Sequence, residues 1–237
     1  MKRDKCIVCH CKIQPDSIEI GNQYPSAVFA EKNEDYTDFL KSSSLNIGKC
    51  SNPECGLVQL SNEYNLDAVF TNYPYVSGST ATMKSILIDV LNEGVEVANL
   101  ENTDVVLDIG GNDGTMLSYL HEDVAYKINM DAAHGVESVD VDGKYKKIIG
   151  LFTSDSYNAL NLKHPKLIFC VAMFYHLDNP HNFCSEVASI MSDESTWVIQ
   201  MTYLKTMLEG NIHDNVVHDH NAYYSLKSLE YLLNLSN

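Results

Sequence analysis

Val105-Val106-Leu107-Asp108-Ile109-Gly110-Gly111-Asn112-Asp113-Gly114 is the stretch on which the fold turns. Four branched apolar residues in five make a run too short for a helix and suited to a strand buried on both faces. A glycine-rich turn follows and opens a helix over about 114–121. Outward from this unit, short apolar runs at 125–130, 146–149, 166–172 and 195–202 read as further strands, with helices over 155–162 and 181–191 between them. Upstream, Met83, Ile86, Leu87, Val90, Leu91 and Val95 recur at three- and four-residue steps behind Ser79 or Thr80 as N-cap, which predicts an amphipathic helix. A last helix runs from Ser225 to about Leu235. Strands alternating with helices predict an α/β fold, a Rossmann-like domain over 76–237 with a mostly parallel sheet covered on both faces.

The loop also carries chemistry. Gly110 and Gly114 let the backbone approach a ligand, and the helix N-terminus behind them offers amides. A dinucleotide fingerprint places a second glycine against a pyrophosphate, but Asn112 stands there and the spacing is Gly110-x3-Gly114, which disfavours a nicotinamide oxidoreductase. S-adenosylmethionine has no pyrophosphate and presents a zwitterionic amino acid and a sulfonium. Asp108, Asn112 and Asp113 suit that ligand. Asp131, seventeen residues past Gly114, ends the second strand, where a carboxylate accepts both ribose hydroxyls. His176 follows the fourth strand at the edge where ligands collect, as a contact to cofactor or substrate or as a polar residue closing the strand.

The first 75 residues have another texture. They hold five of the seven cysteines and polar connecting segments, without a long helical period. Cys6-Ile-Val-Cys9 and Cys50-Ser-Asn-Pro-Glu-Cys55 are two short-spaced pairs about 40 residues apart, the pattern of two knuckles that share a tetrahedral zinc. A module of this size buries too little surface to stand alone, so a structural Zn2+ over residues 1–75 is expected. A redox Cys-x-x-Cys pair is disfavoured because no strand precedes Cys6. Thirty-two acids against sixteen bases give a net charge of -16, which repels nucleic acid and anionic membrane surfaces. The odd cysteine count, the polar N-terminus and the absence of a run of about 18 apolar residues point to a reduced, cytoplasmic setting.

Three further stretches resemble one family, the sugar C-methyltransferases that act on nucleotide-linked keto sugars. They are Cys55-Gly56-Leu57-Val58-Gln59-Leu60, Asn72-Tyr73-Pro74-Tyr75-Val76-Ser77-Gly78-Ser79, and Asp214-Asn215-Val216-Val217-His218-Asp219-His220-Asn221-Ala222-Tyr223-Tyr224. The last is similar to the family's Asp-x-x-Tyr-His-Glu-His-x-x-Tyr segment, with Val217 and Asp219 in place of its tyrosine and glutamate. The resemblance implies methyl transfer from S-adenosylmethionine to a nucleotide-linked sugar. Family members continue into a C-terminal domain that helps hold the sugar nucleotide, whereas this sequence stops at Asn237; a smaller acceptor and O-methylation are therefore also expected.

Segment 214–224 follows the fifth strand, from which it can fold over the sheet edge toward the cofactor. His220 is expected as the base, since an imidazole accepts a proton near neutrality, and it aligns with the family's second histidine. His218 is the alternative base, and Asp219 or Asp214 the partner of the imidazolium. Tyr73 reaches the cleft or packs the two domains together. The competing class is a non-catalytic protein that binds S-adenosylmethionine as a scaffold.

Overall fold

The computed structural model describes residues 2–15, 18–26, 42–64, 74–121, 123–133 and 144–236. Two compact units result, Met1–Val69 with Tyr175–Ser185 and Thr202–Asn237, and Phe70–Phe174 with Glu186–Met201. The expected division at 75/76 has each part contiguous. The structure instead assembles each unit from separated stretches of chain.

The second unit is the α/β domain. Its strands β4 (Val105–Ile109), β5 (Tyr126–Asp131), β6 (Tyr145–Ile149), β7 (Leu167–Val171) and β8 (Thr196–Gln200) form one parallel sheet in the order β6-β5-β4-β7-β8. β4 and β7 are buried at every position, as central strands that are apolar apart from Asp108 require. Helix α1 (Ala81–Ala98) begins at Thr80, whose hydroxyl accepts the Met83 N–H at 3.2 Å, and ends at Asn99 in the left-handed conformation. It buries Leu87, Leu91 and Ala98 in a core shared with Val106, Leu117 and Phe169. Two predicted helices are shorter in the structure, α2 (Thr115–Ser118) and α3 (Ser154–Asn158). The latter has a Thr153–Ser156 capping box at its start, and Asn161 turns left-handed shortly after its end. α4 (Pro180–Ile190) runs between β7 and β8. The strand order reverses at β4 and β7, and the carboxyl ends of such a pair are where ligands bind in open parallel sheets.

The first unit holds an antiparallel sheet of β1 (Ile18–Gln23), β2 (Ser43–Lys49), β3 (Val58–Leu60) and β9 (Ala222–Tyr223) in that order. β9 brings the C-terminal segment to the cysteine-rich module. Leu45, Ile47, Leu60 and Tyr223 from the sheet, with Met207 from α5 (Leu204–Gly210), make its core. α6 (Leu226–Leu235) starts at Ser225 in a capping box with Ser228. Among the described residues no helix is long and apolar enough to cross a membrane.

Candidate active site

The loop after β4 turns through the left-handed region at Gly110 (φ 75°), Asn112 (φ 51°) and Gly114 (φ 80°). Asn112 is the one residue of the three that strains to do so, and its side chain holds it there. Its Oδ1 accepts the Ser77 N–H at 3.0 Å and its Nδ2 donates to the Tyr75 carbonyl at 3.0 Å. Asp113 accepts from the Thr115 N–H, the Thr115 hydroxyl and the Gly78 N–H at 2.7–3.0 Å. These two side chains, expected at the cofactor site, also tie the loop to segment 75–78 and to the start of α2. Close packing also explains Gly78, where a Cβ would stand 2.7 Å from Asp113 Oδ2.

Asp131, at the end of β5, accepts the Asn112 N–H at 2.8 Å on Oδ2 and the Ala133 N–H at 2.7 Å on Oδ1. It anchors the loop and retains a second lone pair on each oxygen for a ligand. Asp108 is 1% exposed, and its Oδ1 has no hydrogen-bond partner among the described residues. Burial, with Asp131 and Asp113 nearby, pushes its carboxyl up to about 8. Gly111 is the residue the sequence reading passed over. A Cβ there would lie 2.4 Å from Asp108 Oδ2 and 2.7 Å from Asn129 Oδ1. Asn129 is fully buried, donates to the Asn112 carbonyl at 3.2 Å and to the Tyr145 hydroxyl at 2.8 Å, and its own Oδ1 has no partner among the described residues. A polar residue inside the strand that follows the loop was the signal for it. Ala172, a non-glycine at φ 53° directly after β7, is a second mark of strain at the carboxyl edge.

In the first unit, His176, Asp219 and His220 converge, with a ligand-type atom of each lying within 4.8 Å of the others. Residues 218–220 form a turn, closed by the His220 N–H donating to the Val217 carbonyl, so neighbouring side chains that would diverge in a strand can meet. His176 Nδ1 lies 2.5 Å from the Asp219 carbonyl and His220 Nδ1 lies 2.9 Å from the Asn215 carbonyl. A carbonyl only accepts, which assigns the proton to Nδ1 in both rings and leaves Nε2 as the basic nitrogen. The Asp219 carboxylate accepts from the Ser26 hydroxyl and lies 3.8 Å from His176 Nδ1. Burial, then the neighbouring His176, holds the His220 imidazole down at about 4, while Asp219 pulls the other way. His220 is therefore neutral at pH 7.

His176, expected as a contact to cofactor or substrate, is brought beside the candidate base. His218 is set apart from this cluster. It is 3% exposed, its Nε2 lies 3.3 Å from the Ser43 carbonyl, and its ring meets Tyr64 edge-on at 4.5 Å. Its sheet-side burial lowers its pKa. Tyr73 lies outside the described residues.

Cys6, Cys9, Cys50 and Cys55 bring their sulfurs within 4.8 Å of one another. Cys6 and Cys55 stand 3.7 Å apart and Cys9 and Cys50 stand 3.4 Å apart. Four sulfurs around a zinc with arms of about 2.3 Å sit about 3.8 Å apart, whereas a disulfide needs about 2.05 Å. The donor set fits a closed, four-coordinate zinc with no open position. Contact with Cys55 pulls the Cys6 thiol down to about 5 and pushes Cys55 up, the split expected where thiols share protons that a metal would displace.

A five-stranded parallel sheet that reverses its order beside a glycine-rich loop with acidic strand ends defines a Rossmann-like methyltransferase fold. A family model described as a methyltransferase domain matches residues 82–237, and the chain belongs to this family. It carries the domain of an S-adenosylmethionine-dependent methyltransferase. The C-methyltransferase NovU of Streptomyces niveus is 24% identical to it over 228 residues, 95% of this chain and 54% of NovU. The chain thus spans about half the length of this curated relative. The plantazolicin methyltransferase BpumL, solved with a pentazolic desmethylPZN analog and SAH, matches with a TM-score of 0.51 at 18% identity over 65% of this chain and 64% of its own. The complex between the Haloferax volcanii Trm112 methyltransferase activator and a methyltransferase gives 0.51 at 15% identity, covering 74% of this chain and 77% of that one. Both likenesses are of fold.

Proposed function

We propose that the protein transfers a methyl group from S-adenosylmethionine to carbon or oxygen of a small sugar-like acceptor, such as a nucleotide-linked sugar, in the cytoplasm. The convergence of His176, Asp219 and His220 carries the catalytic part of this reading. The 24% identity to the C-methyltransferase NovU across 95% of the chain supports methyl transfer to carbon, and the resemblance of segments 55–60, 72–79 and 214–224 to sugar C-methyltransferases supports the acceptor class. Gly110 to Gly114 would line the cofactor, Asp131 would accept its ribose hydroxyls, and Asp108 would lie near its positive charge. The bound cofactor supplies an electrophilic methyl on a sulfonium. His220 Nε2 would take the proton from a carbon beside a ketone, or from a hydroxyl, and the electron pair released would form the new bond to the methyl while the sulfur–methyl bond breaks, its pair staying on sulfur to leave adenosylhomocysteine. Asp219 stabilises the buried imidazolium that results. The four cysteines would hold one structural zinc.

Incubating the purified chain with labelled S-adenosylmethionine and a panel of nucleotide-linked keto sugars and small hydroxylated acceptors tests this reading. One acceptor class should take up label. His220→Ala and His220→Asn should each lose about 10²-fold or more in turnover while binding adenosylhomocysteine normally. Near-wild-type turnover in both variants would remove His220 from the role. Cofactor binding without label transfer to any acceptor would favour the scaffold reading.

A further inference from the structure

The cysteine cluster and the histidine cluster share a framework of buried hydrogen bonds within the first unit. Between Cys6 and Cys9, the Ile7 N–H donates to Gln59 Oε1 at 3.1 Å, and Gln59 is fully buried. Gln59 lies in β3 opposite Ala222 of β9, and the next amide, Leu60 N–H, donates to the Asn221 carbonyl at 2.9 Å. Asn221 is also fully buried, with its Nδ2 donating to the His176 carbonyl at 2.8 Å and to Asp178 Oδ1 at 3.1 Å. A second route reaches the same carboxylate. Arg3, three residues before Cys6, donates from Nη2 to Asp178 Oδ1 at 3.2 Å and from its backbone N–H to the Ser61 carbonyl at 2.7 Å. His176 closes the ring through its 2.5 Å contact to the Asp219 carbonyl.

We propose that the four-cysteine site is a positioning element for the histidine pair, acting through Gln59, Arg3 and Asn221 as positioning residues. The reason is the weakness of what they support. β9 is two residues long and β3 is three, and residues 214–220 are turns and connecting backbone, so the segment has little local stability of its own. Releasing the metal frees the Cys6–Cys9 turn, because a site of this kind folds with its ion. The Ile7 N–H then leaves Gln59, whose buried oxygen loses its donor, and the β3–β9 register that sets Asn221, and with it His176 and His220, is no longer favoured. The order of the histidine pair thus depends on thiols that are not part of it.

This inference rests on the reading of His220 as base, but its test does not use turnover. The full chain is labelled at histidine, and imidazole Cε1–H resonances are titrated before and after EDTA treatment. Amide exchange is followed over residues 218–223, and adenosylhomocysteine binding is measured by calorimetry. After EDTA, the His220 midpoint should rise toward about 6.5. Exchange over 218–223 should quicken about tenfold or more, with cofactor affinity unchanged within about twofold. Gln59→Leu should reproduce the effect with the metal retained, and Gln59→Glu, which keeps the acceptor, should restore the native midpoint. Arg3→Met serves if Gln59→Leu does not fold, since it releases Asp178. An unchanged His220 midpoint and unchanged exchange after EDTA, or a chain that holds no metal, overturns the proposal. Failure of His220 as base would appear instead as retained turnover in His220→Asn.

Discussion

Replacing Asp108 with asparagine removes a carboxyl that the fold keeps nearly dry. Its pKa, raised to about 8 by burial and by Asp131 and Asp113, lies above its unfolded value of about 3.9. Below that value both states hold the proton. Between about pH 4 and 8 the unfolded chain releases it and the folded chain does not, so this contribution to stability is lost as pH rises through the window. Thermal melts at pH 5 to 8 should therefore be flatter for Asp108→Asn, and its melting temperature higher at pH 8 by several degrees, from a difference of a few kcal/mol. Parallel pH slopes in the two proteins would contradict a buried, protonated Asp108. Asp131 pins the Asn112 and Ala133 amides, and in the proposed reaction it also accepts the ribose hydroxyls. Asp131→Ala should weaken adenosylhomocysteine by about 1.5–3 kcal/mol, read by calorimetry. Unchanged affinity would remove Asp131 from the cofactor site.

Single elements depend on contacts of a few ångströms. The turn between β4 and α2 has no room for a side chain at Gly111, where a Cβ would press on Asp108 and Asn129 inside the central strands. Gly111→Ala should displace the turn, cost about 1–3 kcal/mol, and weaken cofactor binding. Thr80→Ala, which removes the cap of α1, should cost about 1 kcal/mol with cofactor affinity intact. Equal effects of the two variants on binding would show that Gly111 acts only through stability. The antiparallel sheet of β1, β2, β3 and β9 should depend on metal at the four cysteines. Elemental analysis of protein purified without chelator should find one zinc per chain, and EDTA should melt this sheet ahead of the parallel one.

At the scale of the whole molecule, the buried histidines limit stability in acid. His220, held at about 4, and His218, also lowered by burial, stay neutral in the folded chain while the unfolded chain takes up protons below about 6.5. Their contribution is fully present above that value and is lost as pH falls below it, for His220 down to about 4. His220→Asn should flatten the acid limb of a pH–stability curve measured by denaturant unfolding, and an unaltered limb would place its ring in solvent. The sequence by itself determined the class of fold and the two metal-type cysteine pairs. A buried strand, a glycine turn and alternating periodicities are local patterns, and each is written in fewer than about twenty consecutive residues. It also located the segment that holds His220. The partners of that segment were decided by tertiary structure. His176 meets Asp219 across 43 residues and His218 meets Ser43 across 175, separations over which no periodicity carries information. The contacts of Asn112 and Asp113 to segment 75–78 are likewise invisible in the loop read alone, because a buried amide or carboxylate must find hydrogen-bond partners wherever the fold brings them.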